Sequence, residues 1–255
     1  MPHDCTAQAA ARAHAPTDGT GLMTGFPPAP DAQVTLANWQ DPPFNRWAFR
    51  HVRELIPSHA IPAGPSAPLP ASAAALDLGR AAVTRLDGNT STAEDVLAGT
   101  YTDAFLVVHD GQVVAERYDA GMTAGTRHLV MSVSKSILSC VAAVLTDRGL
   151  LDLQAPVTTY VPEVGDSGYA GATIRDLLDM RTGVAFRETY ISLDAEVRVM
   201  ERSMGWRPAQ PGDPAGTYPY LATLGRAGPH GGEFSYRSAD SDMLGWACER
   251  ASVAR

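Results

Sequence analysis

The spacing of apolar residues changes after Gly125, and the change separates a pair of strands from a run of helices. Phe105-Leu106-Val107-Val108-His109 and Val113-Val114-Ala115-Glu116-Arg117-Tyr118 are β-branched and aromatic stretches flanking Asp110-Gly111-Gln112. An Asp-Gly pair between such runs suits a tight reversal, so the pattern predicts an antiparallel hairpin over 104–118 within a sheet. Beyond Gly125, the residues Val133, Ile137, Val141, Val144 and Leu145 recur at helical spacing. They predict a helix over 132–148 that Gly149 ends.

The remaining pattern is helical and interrupted. Thr173-Ile174-Arg175-Asp176 has the order of an N-cap with an acidic residue at the third helical position. A short helix is therefore expected from there, closed by Gly183. Tyr190, Leu193, Val197 and Met200 are compatible with helix inside 188–204, the stretch 208–219 reads as loop, and Ser241 opens a short last helix. Residues 150–255 thus read as part of a helical domain. Upstream, residues 1–33 are rich in Ala, Pro, Gly and Thr and read as a flexible tail, leaving 34–255 as the folded portion. Trp39, Phe44, Trp47 and Phe49 around Asp41-Pro42-Pro43 predict a segment packed against the folded body.

Composition narrows the function classes. With 255 residues and 45% hydrophobic content the chain can bury a sizeable core. Its formal charge of -8, from 28 acidic against 20 basic residues without a basic run, makes nucleic acid a poor partner. Cys5, Cys140 and Cys248 have neither the density of a disulfide framework nor the spacing of a zinc site, and free thiols suit a reducing, cytoplasmic compartment. No stretch has the continuous apolar character of a signal peptide or a membrane span, so neither is expected.

Candidate chemistry lies at the start of the 132–148 helix. Ser132 and Lys135 are three residues apart and share a helical face, with Ser136 and Ser139 extending a polar stripe. A serine hydroxyl becomes a nucleophile when a neighbouring base removes its proton, and a lysine serves if its surroundings keep it partly neutral. The apolar approach Leu129-Val130-Met131 predicts a buried helix start with Ser132 at the bottom of a cleft. Tyr236 adds a phenol able to relay protons. In an extended segment Ser238 points the same way as Tyr236.

Four segments together resemble one family. They are Asn38-Trp39-Gln40-Asp41-Pro42-Pro43-Phe44-Asn45-Arg46-Trp47-Ala48-Phe49, Tyr101-Thr102-Asp103-Ala104-Phe105-Leu106-Val107, the Ser132 motif, and Gly232-Glu233-Phe234-Ser235-Tyr236-Arg237-Ser238-Ala239. Residues 33–250 are similar to the N-terminal two thirds of beta-lactamase-related serine hydrolases, in particular the 6-aminohexanoate-dimer hydrolases. That resemblance implies an α/β (α+β) fold of the beta-lactamase/transpeptidase type, with an antiparallel sheet flanked by helices plus a helical domain. It implies Ser132 as acylated nucleophile, Lys135 as its base and Tyr236 as the tyrosine of a Tyr-x-Ser motif. Ser238 fills the third position of that motif, and Tyr190 falls where these hydrolases bring a tyrosine over the substrate. The reaction implied is hydrolysis of a small linear amide or ester through an acyl-enzyme, with no metal and no cofactor. The partner implied is a small-molecule substrate, with no nucleic acid, no membrane, and room for a homodimer. The segment 173–183 resembles a structural signature of the family, to which no chemistry is assigned.

The relatives are longer, and the resemblance implies a fold incomplete at the C-terminus. A later strand that lines the cleft and donates an oxyanion N–H has no counterpart here, so the hairpin lacks sheet neighbours and the Ser132 helix lacks one wall. Two alternatives therefore stand beside the amide or ester hydrolase. One is a beta-lactamase or DD-peptidase-like protein. The other is an inactive truncated fragment acting at most as a binding module.

Overall fold

The computed structural model describes residues 21–253, which fall into two units. One holds residues up to 34 together with 38–129, and the other holds 35–37 and 130 onward. The flexible-tail reading of 1–33 lies outside the described residues as far as residue 20. Within 21–33 Leu22 is buried and the Met23 N–H donates to Ala32 O at 2.9 Å, so ordered chain begins before residue 34.

The first unit contains α1 (Phe44–Ala48), α2 (Val52–Leu55), β1 (Ala82–Thr84), β2 (Thr90–Thr92), α3 (Ala93–Gly99), β3 (Ala104–His109) and β4 (Gln112–Tyr118). Strands β3 and β4 form the expected hairpin, pairing from Ala104 with Tyr118 to His109 with Gln112. Asp110 and Gly111 both have positive φ, 48° and 73°, the conformation that a two-residue hairpin turn demands. Leu106 and Val108 are exposed on this two-stranded sheet. Trp39 is buried and meets Phe49 edge-on at 6.1 Å, so the aromatic segment packs as its composition predicts. Helix α3 was not expected from periodicity because it is only two turns long. Its start was nonetheless encoded, since Thr92 Oγ1 accepts from the Asp95 N–H at 3.0 Å.

The second unit contains α4 (Val133–Asp147), α5 (Ile174–Leu178), α6 (Glu196–Ser203), α7 (Thr217–Thr223) and α8 (Ser238–Val253). Helix α4 agrees with the predicted span to within a residue at either end. Helix α5 has the predicted cap: the Thr173 side chain accepts from the Asp176 N–H, and Asp176 Oδ2 accepts from the Thr173 N–H at 2.9 Å. It ends at Leu178, well before Gly183, because Met180 takes φ 50° and reverses the helix. Helix α8 is 16 residues long rather than short. It begins at Ser238 and buries Ala239, Asp240, Ser241, Met243, Leu244, Trp246, Ala247 and Cys248 on more than one side. A helix buried almost all round shows no polar stripe, which is why its apolar pattern understates it. The first residues of α7 fall inside the stretch read as loop.

Two chain segments crossing side by side connect this core to the site. The Ala185 N–H donates to Gly225 O at 2.9 Å, Ala227 and Gly228 both donate to Gly183 O, and Gly231 donates to Arg181 O. A Cβ at Gly183 would lie 1.9 Å from Gly228 O, so only glycine permits this approach. The Ser235 N–H then donates to Met180 O at 2.9 Å, which anchors the residue immediately before Tyr236.

Candidate active site

Ser132 is the N-cap of α4, preceded by Met131 in the left-handed region at φ 46°. A non-glycine residue there carries strain of about 1–3 kcal/mol, held in place by surrounding structure. The first turn is secured by bonds from the Val133, Ser134 and Lys135 N–H groups to Val130, Met131 and Ser132 carbonyls, each 3.1 Å. Among the described residues the Ser132 N–H itself has no acceptor.

Three predicted residues converge. Lys135 Nζ donates to Ser132 Oγ at 3.0 Å, and the Tyr236 hydroxyl donates to the same oxygen at 2.7 Å. Lys135 Nζ also lies 5.4 Å from the centre of the Tyr236 ring. Lys135 is the single lysine of the chain; every other cationic side chain is arginine. Serine thus accepts from two groups, either of which becomes a proton acceptor once deprotonated.

Two further candidates sit elsewhere in the cluster. Ser238 opens α8 instead of continuing an extended segment. Its hydroxyl donates to Glu188 Oε1 at 2.6 Å, and its N–H donates to Glu188 Oε2 at 2.6 Å. The Tyr190 hydroxyl also donates to Glu188. Burial, followed by the Glu188 carboxylate, pushes the Tyr190 hydroxyl above the usual phenol range. Glu188 therefore joins Tyr190 to Ser238, a role no motif revealed. The only signal was a carboxylate, an acceptor of several bonds, two residues before Tyr190.

The buried cleft expected around Ser132 is not observed. Ser132 is exposed, as are Val130, Val133 and Ile137 around it, the last two at 62%. The apolar residues Val133, Ile137, Val141 and Val144 of α4 are likewise exposed.

Behind the site lies a buried polar group. Asp240 is fully buried in α8 and accepts from Thr182 Oγ1 at 2.8 and 2.9 Å. Burial raises its carboxyl to about 7, against the opposing Thr182 bond and the Arg237 charge. The Tyr169 hydroxyl faces Asp240 but has no partner at hydrogen-bonding geometry among the described residues. Among the described residues no His, Cys, Asp and Glu cluster suited to a metal ion occurs, and no helix is long and apolar enough to cross a membrane.

A serine at a helix start thus accepts from a lysine one turn on and from a tyrosine distant in sequence, an arrangement suited to moving the serine proton. The beta-lactamase family model matches residues 89–255, and the chain belongs to the beta-lactamase family. Its fold is of the beta-lactamase/transpeptidase type. It is 41% identical over 237 residues to the 6-aminohexanoate-dimer hydrolase of Paenarthrobacter ureafaciens, covering 90% of this chain and 57% of that protein. It is 34% identical over 90 residues to the esterase/beta-lactamase LipL of Mycobacterium tuberculosis, covering 32% of this chain and 21% of that protein. A solved structure from Bacillus anthracis, provisionally described as a 6-aminohexanoate-dimer hydrolase, superposes with a TM-score of 0.79 at 26% identity, covering 86% of this chain and 58% of that one. The chain therefore spans less than two thirds of the length of these relatives.

Proposed function

We propose that this chain carries the acyl-transfer centre of a serine hydrolase that cleaves a small linear amide or carboxylic ester. The observation that carries the reading is the meeting of Lys135 and Tyr236 at Ser132 Oγ, at 3.0 and 2.7 Å. Ser132 attacks the carbonyl carbon while its proton passes to Lys135 or Tyr236, and the carbonyl π pair moves onto oxygen. The Ser132 N–H, which has no acceptor among the described residues, serves as one donor to that oxyanion. Collapse expels the amine or alcohol, which takes the proton back, and water then releases the acyl group by the same steps. Tyr190 and Ser238, held by Glu188, form the substrate-binding side of the site.

The amide class is supported by the Paenarthrobacter relative, whose name gives 6-aminohexanoate dimer as its substrate, and the ester class by the esterase/beta-lactamase of Mycobacterium. A cytoplasmic location and a homodimer belong to the same reading; the free thiols of Cys140 and Cys248 support the former. A fluorophosphonate probe tests the chemistry. Labelling of Ser132 that disappears in Ser132→Ala is expected, and a folded protein that takes no label overturns the reading.

A further inference from the structure

Helices α4 and α8 pack together, and the contact fixes which residues share a level. The Leu138 side chain of α4 lies 3.9 Å from where a Cβ would stand on Gly245 of α8. Three residues earlier on each helix, one turn towards both N-termini, stand Lys135 and Asp242. Residues three apart occupy the same helical face, so the face that brings Leu138 to Gly245 also brings Lys135 towards Asp242. Lys135 makes no direct ion pair with a described residue, while its Nζ is held at Ser132 by the bond already given. Asp242 is partly buried on the helix that opens at Ser238 and makes no ion pair with a described residue.

We propose that Asp242 is a positioning residue for the Ser132 chemistry, orienting Lys135 and stabilising the ammonium that forms when Lys135 takes the serine proton. The inference rests on the acyl-transfer reading above. The balance is simple: the Ser132 O–H bond breaks, an N–H bond forms at Nζ, and the new positive charge faces an existing carboxylate. Acting across a gap instead of through a contact, Asp242 favours the ammonium without locking it, so the proton remains available to the leaving group. The charged and titratable groups that act on Asp242 agree with this placement. They are Lys135 from α4 and Glu188 from the loop before α6, while Asp242 itself raises the hydroxyls of Tyr169 and of Tyr218 on α7. Burial raises the Asp242 carboxyl to about 6, and the Lys135 charge opposes that rise. The carboxylate is thus ionised at neutral pH.

Because Lys135 is the sole lysine, protein grown with 13C-labelled lysine gives a single side-chain Cε resonance that reports it without assignment. In Asp242→Asn this resonance is expected to titrate at lower pH than in the parent chain, by roughly one unit, as for loss of a nearby opposite charge. Asp242→Glu, which keeps the charge, is expected to stay near the parent midpoint. An unchanged midpoint in folded Asp242→Asn overturns the proposal. A second arm removes the other partner: in Lys135→Met the Asp242 carboxyl carbon is expected to titrate above its parent value of about 6, and no change there also overturns it. Neither measurement requires turnover, whereas failure of the acyl-transfer reading shows as absence of label on Ser132 in the unmodified protein.

Discussion

Tyr236 donates its phenolic hydrogen to Ser132 Oγ at 2.7 Å across 104 positions of sequence. The bond exists because residues 225–235 are hydrogen-bonded along residues 180–185, which delivers the tyrosine to the head of α4. The segment 173–183, to which no chemistry was assigned, is therefore the template that sets the third member of the site.

Removing either partner of the serine is expected to disable the chemistry while leaving the fold intact. Tyr236→Phe and Lys135→Met each remove a side-chain group that can move the serine proton, a contribution of about 10²–10⁴-fold in rate. Hydrolysis of an activated ester, or the rate of fluorophosphonate labelling, should fall by that factor while the circular dichroism spectrum is retained. A variant within threefold of the parent rate would remove that residue from the proposed machinery.

Asp240 makes stability depend on pH in a defined direction. Its folded carboxyl keeps its proton up to about 7, while the unfolded carboxyl loses it near 3.8. The folded state therefore binds the extra proton between those values, and stability contributed by this group declines as pH rises from about 4 to 7. A gap of about three units corresponds to roughly 4 kcal/mol at most. Asp240→Asn should flatten this part of the curve, read from urea midpoints across that range; a slope identical to the parent's would refute the assignment.

Glu188 holds Tyr190 and Ser238 through three hydrogen bonds. Glu188→Gln retains the size but loses the charge that strengthens those bonds, each worth roughly 1.5–3 kcal/mol with a charged partner. The expected outcome is faster amide hydrogen exchange around 188–192 and a KM raised severalfold with a smaller change in kcat. Loss confined to kcat would place Glu188 in the chemical step instead.

Gly183→Ala is expected to destabilise the protein by about 3 kcal/mol or more, since the added carbon would sit 1.9 Å from a backbone oxygen that cannot rotate away. Thermal melting measures this directly. Gly212→Ala provides contrast: no atom crowds that position, and only its φ of 92° is strained, so a smaller loss is expected. Equal losses at both sites would show that the crossing is not the constraint described.

Local order was legible wherever a short run of residues sufficed to specify it. The Asp110-Gly111 turn, the period of α4 and the Thr173 cap each depend on neighbours within a few positions, and steric and hydrogen-bonding rules act at that range. The serine and lysine could be paired for the same reason, since one helical turn places them together. Motif resemblance added Tyr236, but neither motif nor spacing indicated the Glu188 bridge. The exposure of Ser132 and the length of α8 were likewise decided by what packs against each helix. These features depend on contacts between segments tens of residues apart, and such contacts are set by the joint packing of the core, which no local pattern encodes.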